Sequence, residues 1–235
     1  MQYFSRSIDT DLLDWMNSRK HKPLLVRGAR QVGKSTAVRH LGESFDYYLE
    51  VNFEKDPDVA AFFEEGHDVK RIIAKLSAYY NISIEPEKTL LFLDEIQSCM
   101  KAIESLRFFW EDMPELHVIG AGSLLEFILE DIPTFAVGRI RSVYMYPMSF
   151  DEFLEATGNG RLVPLKKGAD SNSPLDHVFH QKLVELFRDF IMVGGMPEAV
   201  AEWVDTNDYN KVSLIHDDIV TGYENDFAKY KIENH

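Results

Sequence analysis

Nine residues constrain this chain more than any others: Gly28, Ala29, Arg30, Gln31, Val32, Gly33, Lys34, Ser35 and Thr36. Glycine at the first and sixth places lets the backbone curl so that successive N–H groups point inward. Lysine and a hydroxyl residue then complete the spacing that cradles phosphate oxygens. The flanks suit that role. Pro23-Leu-Leu-Val-Arg27 reads as a buried strand, and Lys34 to about Ser44 as a helix with Ala37, Val38 and Leu41 on one side. Such a helix aims its N-terminal partial positive charge at the same anion. Lys34 is therefore expected to neutralise the β- and γ-phosphates, Ser35 to ligate Mg²⁺, and Thr36 to lie beside the α-phosphate.

A second segment answers the first. Leu90-Leu-Phe-Leu93 is apolar on both faces, as a central parallel strand is, and it ends in Asp94-Glu95. The C-terminal edge of such a strand is where open α/β sheets bind ligands. Asp94 would hold Mg²⁺ through water, and Glu95 would orient or deprotonate an attacking water. Alone, two acids at a strand end are as readily a solvated turn. Downstream of a complete phosphate loop they read as a hydrolytic pair. The Asn-Lys-x-Asp pattern that reads guanine is absent, so the expected substrate is ATP, with ADP as its product.

The rest of the chain supplies the frame. Residues 7–19 suit a short amphipathic helix, and Tyr47, Leu49, Val51 and Phe53 alternate as a strand does. Val69, Ile72, Ile73, Leu76 and Tyr80 keep helical spacing, as do Cys99, Ile103, Leu106 and Trp110. His117–Ala121 and Ser142–Tyr146 suit two further strands. Strands alternating with helices imply an α/β fold: a parallel five-stranded sheet with helices on both faces. After Phe150 the rhythm changes to helical stripes, from Phe179 to Ile191 and from Val212 to Phe227. Residues 1–147 are expected to form the core and 148–235 a small all-helical lid, with 158–174 a flexible loop inside it.

Composition narrows the partners. The net charge is −14, with 17 basic and 23 acidic residues through Phe150 and 8 and 16 beyond. A nucleic-acid grip needs clustered Lys and Arg, so that class is disfavoured. No apolar run approaches the roughly 20 residues that span a bilayer. The N-terminus lacks the apolar stretch of a secretory signal, and a lone Cys99 builds no disulfide framework. The cytoplasm is the expected compartment.

Taken together the motifs resemble the AAA+ superfamily of P-loop ATPases, and within it the bacterial family fused to a C-terminal domain of unknown function. The resemblance rests on Leu25–Ser35, Leu91–Gln97, Gly122-Ser123, Gly138-Arg139 followed by Tyr146-Pro-Met-Ser-Phe150, and Gly194-Gly-Met-Pro-Glu198. It implies roles for three more residues. Ser123 falls where the family places a polar sensor of the γ-phosphate, though it would equally cap a helix over 124–130. Arg139 falls where an arginine finger is carried, its alternative being an ion pair or a carbonyl cap that holds the loop. Pro197 falls where a lid proline lies against adenine, its alternative being an ordinary helix connector. The resemblance also allows a homo-oligomer and a protein client. Three functions stay open: an ATPase that changes the angle between core and lid, a slowly hydrolysing nucleotide switch, and a DNA-associated motor.

Overall fold

The computed structural model describes residues 3–64, 66, 68–123, 125 and 138–233, with side chains through Asn225. Its elements follow the hydrophobic periodicity. Helix α1 (Ile8–Met16) buries Ile8, Leu12 and Trp15 at helical spacing. Strand β1 (Leu24–Arg27) enters the phosphate loop and α2 (Lys34–Gly42) leaves it. Strand β2 (Tyr47–Asn52) alternates, burying Leu49 and Val51. A short α3 (Ala61–Glu64) precedes α4 (Val69–Tyr80), whose first turn is capped by the Asp68 carboxylate accepting from the Arg71 amide. Strand β3 (Thr89–Asp94) is buried along its whole length. Helix α5 (Met100–Asp112), β4 (His117–Ala121) and β5 (Arg141–Tyr144) complete this part.

The five strands are all parallel, in the order β2-β3-β4-β1-β5. Every connection is therefore a crossover, which requires helices to cover the sheet. Side chains alternate between faces along each strand. Leu25, Leu49, Val51, Leu91, Leu93 and Val118 share one core with α3, α4 and α5. Their neighbours Leu24, Val26, Leu90, Phe92 and Ile119 are equally buried, and α2 meets β3 and β4 while α1 meets β5.

The helical part comprises α6 (Phe150–Ala156), α7 (Leu162–Gly168), α8 (His177–Val193), α9 (Pro197–Thr206) and α10 (Tyr209–Glu233). Its core gathers Met148, Phe153, Val193, Val200, Trp203 and Val212, and a smaller cluster joins Leu154, Val163, Leu183 and Leu186. Tertiary contacts divide the chain into two units: Ser7–Ala29 with Gly33–Met145, and Tyr146–His235 with Met1–Arg6 and Arg30–Val32.

Three expectations change. The flexible loop expected at 158–174 contains α7, because Pro164 sits in a first turn that needs no amide, Val163 is buried, and Lys166 and Lys167 both pair with Asp151. Helix α9 adds to the two stripes expected after Phe150, its own stripe of Ala199, Val200 and Trp203 being short. The fifth strand runs from Arg141 to Tyr144 rather than from Ser142 to Tyr146, ending where the Met145 amide bonds to the Arg27 carbonyl.

Candidate phosphate-binding site

The phosphate loop is built from constraints that glycine alone satisfies. Gly28 has φ 138°, and a Cβ there would stand 2.1 Å from the Met145 carbonyl oxygen. The loop can therefore leave β1 only with glycine at that place. Gly33 caps α2 from the left-handed region at φ 98°. Between them Gln31 also has positive φ, 63°, a strained setting for a residue with a side chain. Lys34 is buried, and its ammonium donates to the carbonyls of Gly28 (2.9 Å) and Ala29 (2.8 Å).

Beside the loop, strand register delivers the acids. The Ser35 hydroxyl donates to Asp94 Oδ1 at 2.9 Å. Asn52 pairs with Asp94 across β2 and β3, and its Nδ2 donates to Oδ2 at 3.0 Å. Burial raises the Asp94 pKa above the usual carboxylate range, against the opposing Ser35 hydrogen bond, and the Glu95 charge adds to the rise. Arg39 stands 3.9 Å from Asp94 but is bound in a fork to Glu50, at 2.8 and 2.7 Å. That fork holds the Glu50 carboxyl below its ordinary range and ties α2 to β2. Tyr48 donates to the same carboxylate.

Glu95 follows with φ 48° and ψ 42°, left-handed for a residue with a long side chain. Its Oε2 accepts from Gln97 Nε2 at 2.6 Å. The other amide atom, Gln97 Oε1, is buried without a hydrogen-bond partner and lies against Gly122, where a Cβ would stand 2.0 Å from it. A side chain at Gly122 would have to displace the end of the Gln97 side chain.

The donor set fits a hard divalent cation. Mg²⁺ takes one or two protein oxygens and fills the remaining places with phosphate and water. A hydroxyl 2.9 Å from a buried carboxylate, with the second carboxylate oxygen already held by an amide, is such a pair. Among the described residues no cluster of three or more His, Cys, Asp or Glu could hold a metal by itself.

The structure thus brings Ser35 of the loop to Asp94, with Glu95 next in the chain. Ser123 lies half-buried just past β4, and the helix it was expected to cap falls outside the described residues. Arg139 pairs with Glu111 of α5 at 2.6 Å and is partly exposed, so the ion pair is the role this geometry displays. Pro197 is the first residue of α9, within the helical unit. The glycines before it have structural reasons of their own. Gly194 has φ 72°, and a Cβ on Gly195 would stand 2.3 Å from the Met148 carbonyl. Sequence reasoning missed Asn52, Arg39, Glu50 and Gln97. Asn52 is exposed only by the β2–β3 register, Arg39 and Glu50 only by the packing of α2 on β2, while Gln97 follows the acids without a local pattern that marks its role.

Comparison with known proteins agrees with this geometry. The sequence profile of the AAA domain matches residues 20–154, and that of a domain of unknown function, DUF8612, matches residues 184–235. No curated protein matches this chain in sequence. Among solved structures it is similar to the Walker-type ATPase PABY2304 of Pyrococcus abyssi, with a TM-score of 0.60 and 15% identity, covering 97% of this chain and 76% of that one. C. elegans PCH-2 is a fainter likeness, with a TM-score of 0.46 and 11% identity over 86% of this chain and 62% of that one, and carries no weight. At such identities the likeness speaks for the fold, and the profile match for the family. Among the described residues no helix is long and apolar enough to cross a membrane. With a matched AAA domain, a five-stranded parallel sheet and a complete phosphate loop beside an Asp-Glu pair, the chain belongs to the AAA-domain family of P-loop ATPases, joined to a C-terminal domain of unknown function.

Proposed function

We propose that the chain binds Mg²⁺–ATP and hydrolyses it, and that the nucleotide state moves the helical unit. The observation that carries this reading is the 2.9 Å hydrogen bond from Ser35 to Asp94, which puts a loop hydroxyl and a buried carboxylate at one point. Bound there, Mg²⁺ would draw charge from the β- and γ-phosphate oxygens. Lys34 exchanges a loop carbonyl for a phosphate oxygen, the loop amides take the remaining phosphate oxygens, and Asn52 keeps Asp94 turned toward Ser35. Glu95 orients the attacking water and accepts its proton. Ser123 senses the γ-phosphate, Pro197 meets the adenine, and Arg139 stabilises charge on the transferred phosphoryl group after leaving Glu111. An exposed ion pair of that kind holds an arginine by only about 0–1 kcal/mol, so release is cheap. A homo-oligomer would let Arg139 act on a neighbour's nucleotide. The test is turnover with Mg²⁺ and with chelator, in the unsubstituted chain and in Glu95→Gln. The expected result is Mg²⁺-dependent hydrolysis that slows about 100-fold in the variant, the scale of a positioned base. Undiminished turnover in Glu95→Gln would remove the assignment.

A second reading has one observation in its favour. The Gln97 amide already occupies a Glu95 oxygen at 2.6 Å, an arrangement suited to a slow switch that holds nucleotide and signals by its helical unit. The DNA-associated motor has no such support, since the chain carries a net charge of −14.

A further inference from the structure

We propose that Arg6 and Tyr223 are positioning residues of the phosphate loop, gripping two of its carbonyls so that the attached amides face the phosphates. The inference rests on the loop being the phosphate site and assigns the C-terminal domain of unknown function a part in it. Arg6 precedes the matched AAA segment, and Tyr223 lies in the segment matched to that domain. The side chains and carbonyls in contact, those of Arg6, Arg30, Val32, Tyr146, Glu152 and Tyr223, fall in one unit, and the Gly33 amide belongs to the same peptide as the Val32 carbonyl.

The Arg6 guanidinium is buried, and it reaches partners in three directions that bear on the loop. Nε donates to Glu152 Oε1 at 3.1 Å, Nη1 to the Val32 carbonyl at 2.9 Å, and Nη2 to the Tyr146 carbonyl at 2.7 Å. Glu152 is equally buried and is itself fixed, because its Oε2 accepts from the Ser149 amide at 2.6 Å in a capping box. A rigid fork held by a fixed carboxylate is a good device for locating a backbone oxygen. On α10, the Tyr223 hydroxyl donates to the Arg30 carbonyl at 2.9 Å.

Peptide planarity gives these contacts their meaning. In a trans peptide the carbonyl and the next N–H point in opposite directions, and among the described residues every peptide is trans. Holding the Val32 oxygen toward Arg6 therefore turns the Gly33 N–H away from Arg6. Holding the Arg30 oxygen toward Tyr223 likewise turns the Gln31 N–H away from Tyr223. The two gripped carbonyls bracket Gln31, the loop's side-chain-bearing residue at positive φ. A strained residue persists only when its surroundings over-determine it, and this bracket supplies that constraint. Neither side chain touches nucleotide. Each acts through the loop.

The test uses the full chain with ADP as the probe. Affinity is measured by calorimetry, the melting temperature without ligand, and the exchange of the Gln31 and Gly33 amides in both states. Tyr223→Phe removes one hydroxyl from an exposed contact and should weaken ADP about fivefold, the scale of one hydrogen bond. Arg6→Lys keeps a cation for Glu152 but loses the fork, and should weaken ADP about tenfold or more. In both variants exchange should quicken at the amide that the missing contact aims. If Arg6→Lys fails to fold, Tyr223→Phe decides alone. Variants that bind ADP like the unsubstituted chain would overturn the inference, as would a lowered melting temperature with unchanged affinity. Absence of ADP binding by the unsubstituted chain would sink the nucleotide reading and this inference with it, a result distinguishable from the first.

Discussion

Glu95 is held twice, by a left-handed backbone and by the Gln97 amide on its carboxylate. Non-glycine residues in that region cost on the order of 1–3 kcal/mol and gather where geometry serves chemistry. Gln97→Ala tests what the grip does. If Gln97 aims Glu95 at water, kcat should fall about tenfold or more with KM little changed. If it restrains Glu95, as the switch reading requires, kcat should rise. Single-turnover and steady-state rates separate the two. The sequence displayed Glu95 and the glycine loop because each stands in a local pattern, an apolar run or a fixed spacing. It could not display Asn52 or Arg6, whose partners lie far along the chain and whose roles exist only after β2 meets β3 or after the N-terminal segment meets Glu152.

Among the elements, β3 was readable from four apolar residues in a row, and α4 from its stripe. Helix α7 was hidden by the glycine, proline and serine around it, which mark turns equally well. The approach of α9 to the segment before α6 was hidden too, because it is made by backbone: the Met148 amide donates to the Gly195 carbonyl at 2.6 Å. Gly195→Ala should therefore destabilise the helical unit by about 2 kcal/mol or more, as misfit of a buried backbone contact does. Chemical denaturation checks it, and an unchanged midpoint would mean that the backbone yields easily. Where α1 meets β4, His21 and His117 stack at 3.7 Å with Trp15 edge-on to both. Burial, helped by His117, lowers the His21 pKa to about 4, while Glu115 opposes the shift. A lowered folded-state pKa means that the unfolded chain binds more protons between pH 6.5 and about 4. Stability should then be full above pH 6.5 and fall toward pH 4, by on the order of 2 kcal/mol. His21→Phe should flatten that slope. An equally steep slope in the variant would assign it to other groups.

For the whole molecule, the open question is what nucleotide does to the helical unit. If Pro197 meets adenine, Pro197→Ala should weaken ATP and ADP alike, since adenine is common to both. Amide exchange across residues 190–200 should then slow on nucleotide binding in the unsubstituted chain and respond less in the variant. A ligand shifts a conformational equilibrium only through contacts that differ between the states. Unchanged exchange with normal affinity would leave Gly194–Pro197 as a connector between α8 and α9, the role its glycine contacts already explain.

The position of β1 in the sheet sets an order of events during synthesis. Its two neighbours are β4 and β5, so Leu24 waits for Ile119 on one side and Arg141 on the other. The strand that feeds the phosphate loop leaves a ribosome well before either neighbour, and it has no ladder until the fourth and fifth strands have followed. Contacts so distant along the chain are slow to close. Until then the early strand is an exposed apolar segment, Leu24-Leu-Val26, of the kind that chaperones shield or that aggregates. A nascent chain stopped before Leu116 would hold the whole glycine motif and still lack the frame that shapes it.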